Sequence, residues 1–211
     1  MYIPRWSSVD DPEVIRQFVS DVGFGALVTP GSGGAGDGLK VTHLPVLYVD
    51  SPGEGVINGH MAKANDHWNA LDDQRESVVI FQGPNAYVSP EWYEARPALP
   101  AWNYGVVHMR GAVRAIHDDE WLIEHVDELV DFHEAGIGEG SKEASYDEIR
   151  TKMLGGIVGF QMTVSSIEAR FKLSQNRSEE DRRLVAEQLG ASGEGQSGAV
   201  AELMRRDLER E

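Results

Sequence analysis

Leu39-Lys40-Val41-Thr42-His43-Leu44-Pro45-Val46-Leu47-Tyr48-Val49, then Asp50-Ser51-Pro52-Gly53-Glu54-Gly55, then Val56-Ile57-Asn58-Gly59-His60-Met61 is the stretch that decides the fold. The first run is rich in β-branched and apolar residues, and Pro45 marks an edge, bend or bulge within it. The middle run is a turn, and the third begins another strand.

The same grammar extends to both sides. Residues 24–29 read as a short strand, and residues 30–38, Pro-Gly-Ser-Gly-Gly-Ala-Gly-Asp-Gly, read as a flexible connection. Those glycines fit neither GxGxxG opening a helix nor a phosphate loop with its Lys. Upstream, Asp11-Pro12-Glu13 supplies an N-cap, a first-turn proline and a first-turn acid for a helix carrying Val14, Ile15, Phe18, Val19 and Val22 at helical spacing. Downstream come a short helix through Trp68 and Leu71, a buried strand at 77–82 broken by Gly83-Pro84-Asn85, and a long strand at 104–115. Asp118 caps a helix with Trp121, Leu122, Val126, Leu129 and Val130 on its apolar side. A further helix around Tyr146, Ile149, Met153 and Leu154 leads into a strand at 157–164, and Ser178-Glu179-Glu180-Asp181 starts another. Residues 191–198 read as a linker to a last helix. Many strands joined by short turns, with helices inserted rather than alternating, favour an antiparallel barrel over a doubly wound sheet.

Composition bounds the function. The 211 residues fit one core, with 41% apolar residues and five Trp, six Tyr and six Phe to fill it. The formal net charge is −16, which opposes a large nucleic-acid footprint, because phosphate contact needs clustered Lys and Arg. The absence of cysteine removes disulfides and thiol chemistry. No apolar run approaches the roughly 18 residues that span a bilayer, so a cytoplasmic location is expected, without membrane association.

Three constellations could carry chemistry. Gly59-His60-Met61-Ala62-Lys63-Ala64-Asn65 lies where a strand gives way to a helix start; backbone N–H groups, Lys63, His60 and Asn65 make either a phosphate cradle or an ordinary polar turn. Thr42-His43-Leu44 interrupts an apolar strand with polar side chains, which suits either a ring-binding slot or a histidine at a barrel rim. Phe171-Lys172-Leu173-Ser174-Gln175-Asn176-Arg177 concentrates hydrogen-bonding groups in an acidic chain, either as a site or as the approach to a helix. Phe81-Gln82 and Trp102-Asn103-Tyr104 set aromatic surface beside amides. The seven histidines show no HExxH and no tight pairing with carboxylates, so no metal site is expected, and no catalytic acid or base is assigned.

Together these stretches resemble the PaiB family of FMN-binding negative transcriptional regulators. The resemblance is carried by Met1-Tyr2-Ile3-Pro4, His43-Leu44-Pro45, Gly59 through Asn65, Phe81-Gln82-Gly83-Pro84, Tyr87-Val88-Ser89-Pro90, Pro100-Ala101-Trp102-Asn103-Tyr104, Val158-Gly159-Phe160 and Phe171 through Arg177. It implies an α+β fold, an antiparallel split β-barrel of the FMN-binding type with peripheral helices, forming a homodimer. It places the barrel domain at residues 1–189 and a linker with a C-terminal helix at 190–211. By analogy with such barrels, Thr42, His43 and Leu44 would meet the flavin ring, His60, Lys63, Ala64 and Asn65 the phosphate and ribityl end, and Phe81 and Gln82 the ring edge. Trp102, Asn103, Tyr104, Lys172, Ser174, Gln175 and Asn176 would complete the pocket or the subunit contact. The alternatives are an FMN-dependent oxidoreductase and a haem-handling relative, since this barrel type hosts several activities.

Overall fold

The computed structural model describes residues 1–31, 38–50, 55–71, 75–135 and 153–210. Most of the glycine-rich connection after Pro30, most of the turn after Asp50 and the helix around Tyr146 and Ile149 lie outside the described residues.

Six strands, β1 (Phe24–Pro30), β2 (Leu39–Val49), β3 (Val56–Ala62), β4 (Glu76–Val88), β5 (Ala101–Ile116) and β6 (Ile157–Lys172), close a barrel in the order β1-β2-β3-β6-β5-β4. Four helices accompany them among the described residues: α1 (Pro12–Val22), α2 (Asp119–Glu134), α3 (Glu179–Ser192) and α4 (Ser197–Leu208). The stretch that opened the argument forms the antiparallel pair β2–β3, with Val46 opposite Gly59 and Val49 opposite Val56. Pro45 does not interrupt β2, where it lies opposite Phe24 of β1. The expected mixed α+β class with an antiparallel barrel is observed.

Helix starts follow local chemistry. Asp11 Oδ1 accepts from the Glu13 amide at 2.9 Å, Asp118 Oδ1 from the Trp121 amide at 2.9 Å, and Ser178 Oγ from the Asp181 amide at 3.2 Å. Each such cap satisfies a backbone donor that the first turn leaves free, a contribution of about 1 kcal/mol. Gly193, at φ 63°, ends α3 in the left-handed conformation that favours glycine.

Two strands differ from the sequence reading. Gly83-Pro84-Asn85 does not break the chain, and β4 runs through it to Val88. The glycine serves packing: a Cβ at Gly83 would overlap the Phe18 ring, and one at Gly105 would lie 2.6 Å from Phe18 Cε2. β6 continues past Val164 to Lys172 and is followed by Ser174 at φ 64°.

By contacts the chain divides into two compact units, with boundaries inside α1, β4, β5 and β6. The first comprises Met1–Phe18, Gln82–Val107 and Glu168–Glu211; its core holds Phe18, Val88, Phe171, Leu173, Val185, Leu189, Val200 and Met204. The second comprises Val19–Phe81 and His108–Ile167, with a core of Leu27, Ile57, Val79, Phe81, Met109, Val113, Leu122, Val158, Phe160 and Met162. Inside the second unit α2 packs on β6 where Gly159 leaves room, since a Cβ there would overlap the Trp121 ring and lie 3.0 Å from Leu122 Cδ2.

Candidate functional site

In the second unit, β2 and the segment after β3 meet through side chains. Thr42 projects from β2 and its Oγ1 lies 3.0 Å from Asn65 Nδ2 and 2.8 Å from His67 Nδ1. Asn65 is locked by a second bond, its Oδ1 accepting from the His67 amide at 3.1 Å. His67 is 1% exposed, and its Nε2 has no hydrogen-bond partner among the described residues. Burial first, then the positive charge of Lys40, holds its pKa below the usual histidine value, so the ring is neutral near pH 7. Lys40 Nζ is bound to Asp66 Oδ2 at 2.9 Å, beside this cluster.

A second histidine lies behind His60. His60 Nδ1 and His125 Nε2 are 3.2 Å apart, although 65 residues separate them in sequence. Trp121, one helical turn before His125 on α2, stacks on it at 5.1 Å with the rings 18° from parallel. Burial, reinforced by His60, lowers the His125 pKa to about 4, and burial also lowers that of His60.

A pH dependence of stability follows. His125 must stay neutral in the folded state, while in the unfolded chain it titrates near 6.5. Its contribution is complete above pH 6.5 and is lost as the pH falls from there towards 4. The shift corresponds to about 3 kcal/mol as an upper order of magnitude. Denaturant midpoints measured from pH 8 to pH 4 should fall in that window, and His125→Gln should flatten the slope. A parallel decline in the variant would assign the effect to other groups.

Lys63 and Ala64 form the turn after β3. The Lys63 amide donates to the Gly156 carbonyl at 2.8 Å, and the Asn65 amide to that of Ala62 at 2.8 Å. The Lys63 carbonyl accepts from Trp68 Nε1 at 2.9 Å. The Ala64 amide and the Lys63 ammonium are left without partners among the described residues, and both residues are exposed. Where the sequence suggested a helix, Asp66–Ala70 is a single 3-10 turn. Any anion here is therefore held by individual donors rather than by a helix dipole.

The remaining candidates are placed as follows. Leu44 and Phe81 are buried in the core of the second unit, whereas His43 is exposed, with its ring 6.4 Å from that of Phe24. Gln82, the residue after Phe81 in β4, is exposed.

Within the first unit, Asn103 Nδ2 donates to Ser174 Oγ at 3.1 Å, and the Tyr93 hydroxyl pairs with the same Oγ at 3.0 Å. Both Asn103 and Ser174 are buried, and these bonds hold Ser174 in its left-handed conformation. Gln175 folds back, its Nε2 donating to the Phe171 carbonyl at 2.7 Å and its Oε1 accepting from the Leu173 amide at 2.8 Å. Lys172 Nζ donates a short bond to the Trp102 carbonyl, and burial, then the neighbouring Arg170, lowers its pKa. Trp102 and Asn176 are exposed, and Tyr104 lies under the Arg170 guanidinium at 5.5 Å.

The sequence brought Thr42, His60, Lys63, Ala64 and Asn65 forward and missed His67, His125 and Trp121. A helical spacing of four residues between Trp121 and His125 was visible, but nothing local announced that His125 meets His60. Among the described residues no group of three or more His, Asp or Glu could hold a metal ion.

Comparison with known proteins gives the family of the chain and agrees with its barrel fold. A family model described as "Putative FMN-binding domain" matches residues 1–166. The chain is 35% identical, over 100% of both lengths, to "Protease synthase and sporulation protein PAI 2" of Bacillus subtilis. Among solved structures, the flavocytochrome Anf3 of Azotobacter vinelandii aligns at a TM-score of 0.59 and 17% identity, over 85% of this chain and 77% of that one. The FAD and haem binding protein of Mycobacterium smegmatis aligns at 0.60 and 13%, over 83% and 78%. At such identities these two structures speak to the barrel fold alone.

Proposed function

This chain belongs to the FMN-binding family matched over residues 1–166 and has FMN as its cofactor; from that premise we propose that His60, Lys63 and Ala64 hold the phosphate and ribityl end of the flavin. The observation that carries this reading is the donor set. An exposed ammonium and amide without partners among the described residues, together with an imidazole, come from β3 and the turn that follows. A phosphate dianion has only acceptor oxygens, so this set fits it. His43, exposed on β2 beside Phe24, offers a surface for the ring.

When bound, FMN supplies redox chemistry. The chain's own residues bind and orient it: the Lys63–Ala64 turn is tied to the Gly156 carbonyl and to Trp68 Nε1, and His125 holds the His60 ring. The oxidoreductase and haem-handling readings have less support, since the family match is to an FMN-binding domain and the full-length relative carries a sporulation name.

As to role, the protein acts as a flavin-dependent regulator that reaches transcription indirectly. The charge of −16 supports this, because it opposes the phosphate backbone. Anisotropy titration at physiological salt should show no sequence-specific DNA binding, and nanomolar, sequence-dependent affinity would refute the indirect route.

The protein is a cytoplasmic homodimer in this reading. Phe24, Leu39 and Val41 are 52%, 71% and 54% exposed. The β1–β2 register puts Leu39 opposite Pro30, Val41 opposite Val28 and Pro45 opposite Phe24, so they share one apolar outer face. A second copy would cover such a face. Light scattering should give twice the chain mass, and a monomer throughout the micromolar range would count against the dimer.

A further inference from the structure

We infer that two buried histidines, His67 and His125, act as positioning residues that fix hydrogen-bond polarity by tautomer, turning the Thr42 hydroxyl on the inner face of the β2–β3 pair and His60 Nε2 on its outer face into obligatory donors, the latter for a ligand that offers only acceptors. The placement of that ligand rests on the flavin reading above; the tautomers do not.

Asn65 fixes the roles of the groups around Thr42. A backbone amide can only donate, so the bond from the His67 amide identifies the Asn65 atom it meets as the oxygen. The other end of that side chain is therefore the NH2 group, and it donates to Thr42 Oγ1. One lone pair of the hydroxyl is thus taken.

His67 Nδ1, 2.8 Å from the same oxygen, has two options. If it accepts the Thr42 proton, the neutral ring must carry its own proton on Nε2, which is sealed from solvent and has no partner among the described residues. That leaves a buried N–H without an acceptor. If it donates, the buried Nε2 is a bare lone pair. Buried donors without acceptors are the rarer condition in folded proteins, and an orphaned buried group costs about 1–3 kcal/mol. His67 therefore donates from Nδ1, the Thr42 oxygen accepts twice, and its own proton points away from both partners.

His125 is 2% exposed, and its Nδ1 is buried without a partner among the described residues. A proton on Nδ1 would be stranded, so it resides on Nε2 and is donated to His60 Nδ1 at 3.2 Å. His60 then accepts at Nδ1 and, being neutral, must carry its proton on Nε2. Burial favours the neutral form of all three rings, so each holds one ring proton near pH 7. Two donors are thereby preset without adding charge, leaving Lys63 as the cation of the turn.

Long-range 1H–15N correlation of the histidine rings in the flavin-free protein at pH 7.5 tests this directly. The expected result is a proton on Nδ1 of His67 and on Nε2 of both His60 and His125. A proton on Nε2 of His67, or on Nδ1 of His125 or His60, would overturn it. A second arm uses variants. His125→Leu removes the donor behind His60, so that ring should populate both tautomers, and FMN should bind roughly two- to tenfold more weakly, the worth of one neutral hydrogen bond. His125→Gln places an amide where Nε2 was and should restore both the His60 tautomer and the affinity. A purely structural role for His125 would leave the His60 tautomer unmoved in the Leu variant, and that result refutes the inference. The expected tautomers together with FMN affinity unchanged in both variants would uphold them and refute the placement of the flavin beside His60.

Discussion

Lys63→Met should weaken FMN binding by roughly ten- to 150-fold and leave riboflavin binding almost unchanged. The ammonium is exposed, without a partner among the described residues, on a turn whose carbonyl is tied to Trp68. It is thus available to a ligand, and no ion pair of the fold is lost with it. Met retains most of the stem volume and removes the charge. A charge-assisted hydrogen bond contributes about 1.5–3 kcal/mol, which sets the range quoted. Riboflavin lacks the phosphate, so the deleted charge has nothing to meet in that ligand. Paired titrations followed by flavin fluorescence, with circular dichroism confirming the fold, decide the matter. Equal FMN affinity in the two proteins would remove Lys63 from the phosphate site. An equal loss for both ligands would place its effect on the ring or the fold.

The second large effect concerns Gly111→Ala on β5. A Cβ at this position would fall on the Thr163 carbonyl oxygen of β6, with the carbonyl carbon 2.8 Å away and Met162 Cγ at 3.1 Å. The obstacle is backbone in a neighbouring strand, so no rotamer change relieves it and the strands must separate locally. Overpacking of this kind costs about 3 kcal/mol, or a fall of about 6–12 °C in Tm for a chain of this size. Gly198→Ala in α4, where a Cβ meets nothing within 4 Å, is the control. It should leave stability unchanged or raise it by about 0.5 kcal/mol through helix propensity. Calorimetry of both variants is the measurement, and a Gly111→Ala protein melting with the wild type would show that the strands adjust freely there.

The two effects separate binding from scaffold. Loss of the Lys63 charge is expected to act on a ligand, since among the described residues the ammonium has no partner in the folded chain. Loss of the bare Cα at Gly111 acts on the barrel before any ligand is present. Flavin titration of Gly111→Ala below its melting range should accordingly stay close to wild type if the barrel survives.

What could be read in the sequence is what short stretches of chain decide. Asp11, Asp118 and Ser178 were legible as helix caps because a cap is a contact between residues two or three apart. The hairpin of β2 and β3 was legible because strand alternation and turn residues are local too. The donor turn His60 to Asn65 was legible as residue types, and family resemblance supplied the flavin.

Tertiary structure alone decided the rest. Gly83-Pro84-Asn85 read as a break, because glycine and proline punctuate most chains, yet Gly83 is there to admit the Phe18 ring, 65 residues earlier, into an unbroken strand. The Lys172 to Asn176 run read as part of a pocket or of a subunit contact, and only the fold showed that within the chain the polar groups of Ser174 and Gln175 bond to Asn103, Tyr93 and their own turn. His125 showed only its helical spacing from Trp121; its contact with His60 appears only when α2 settles over Gly159. A contact across 65 residues depends on strand register and helix docking, set by the summed burial of many side chains, and no short stretch of sequence contains that sum.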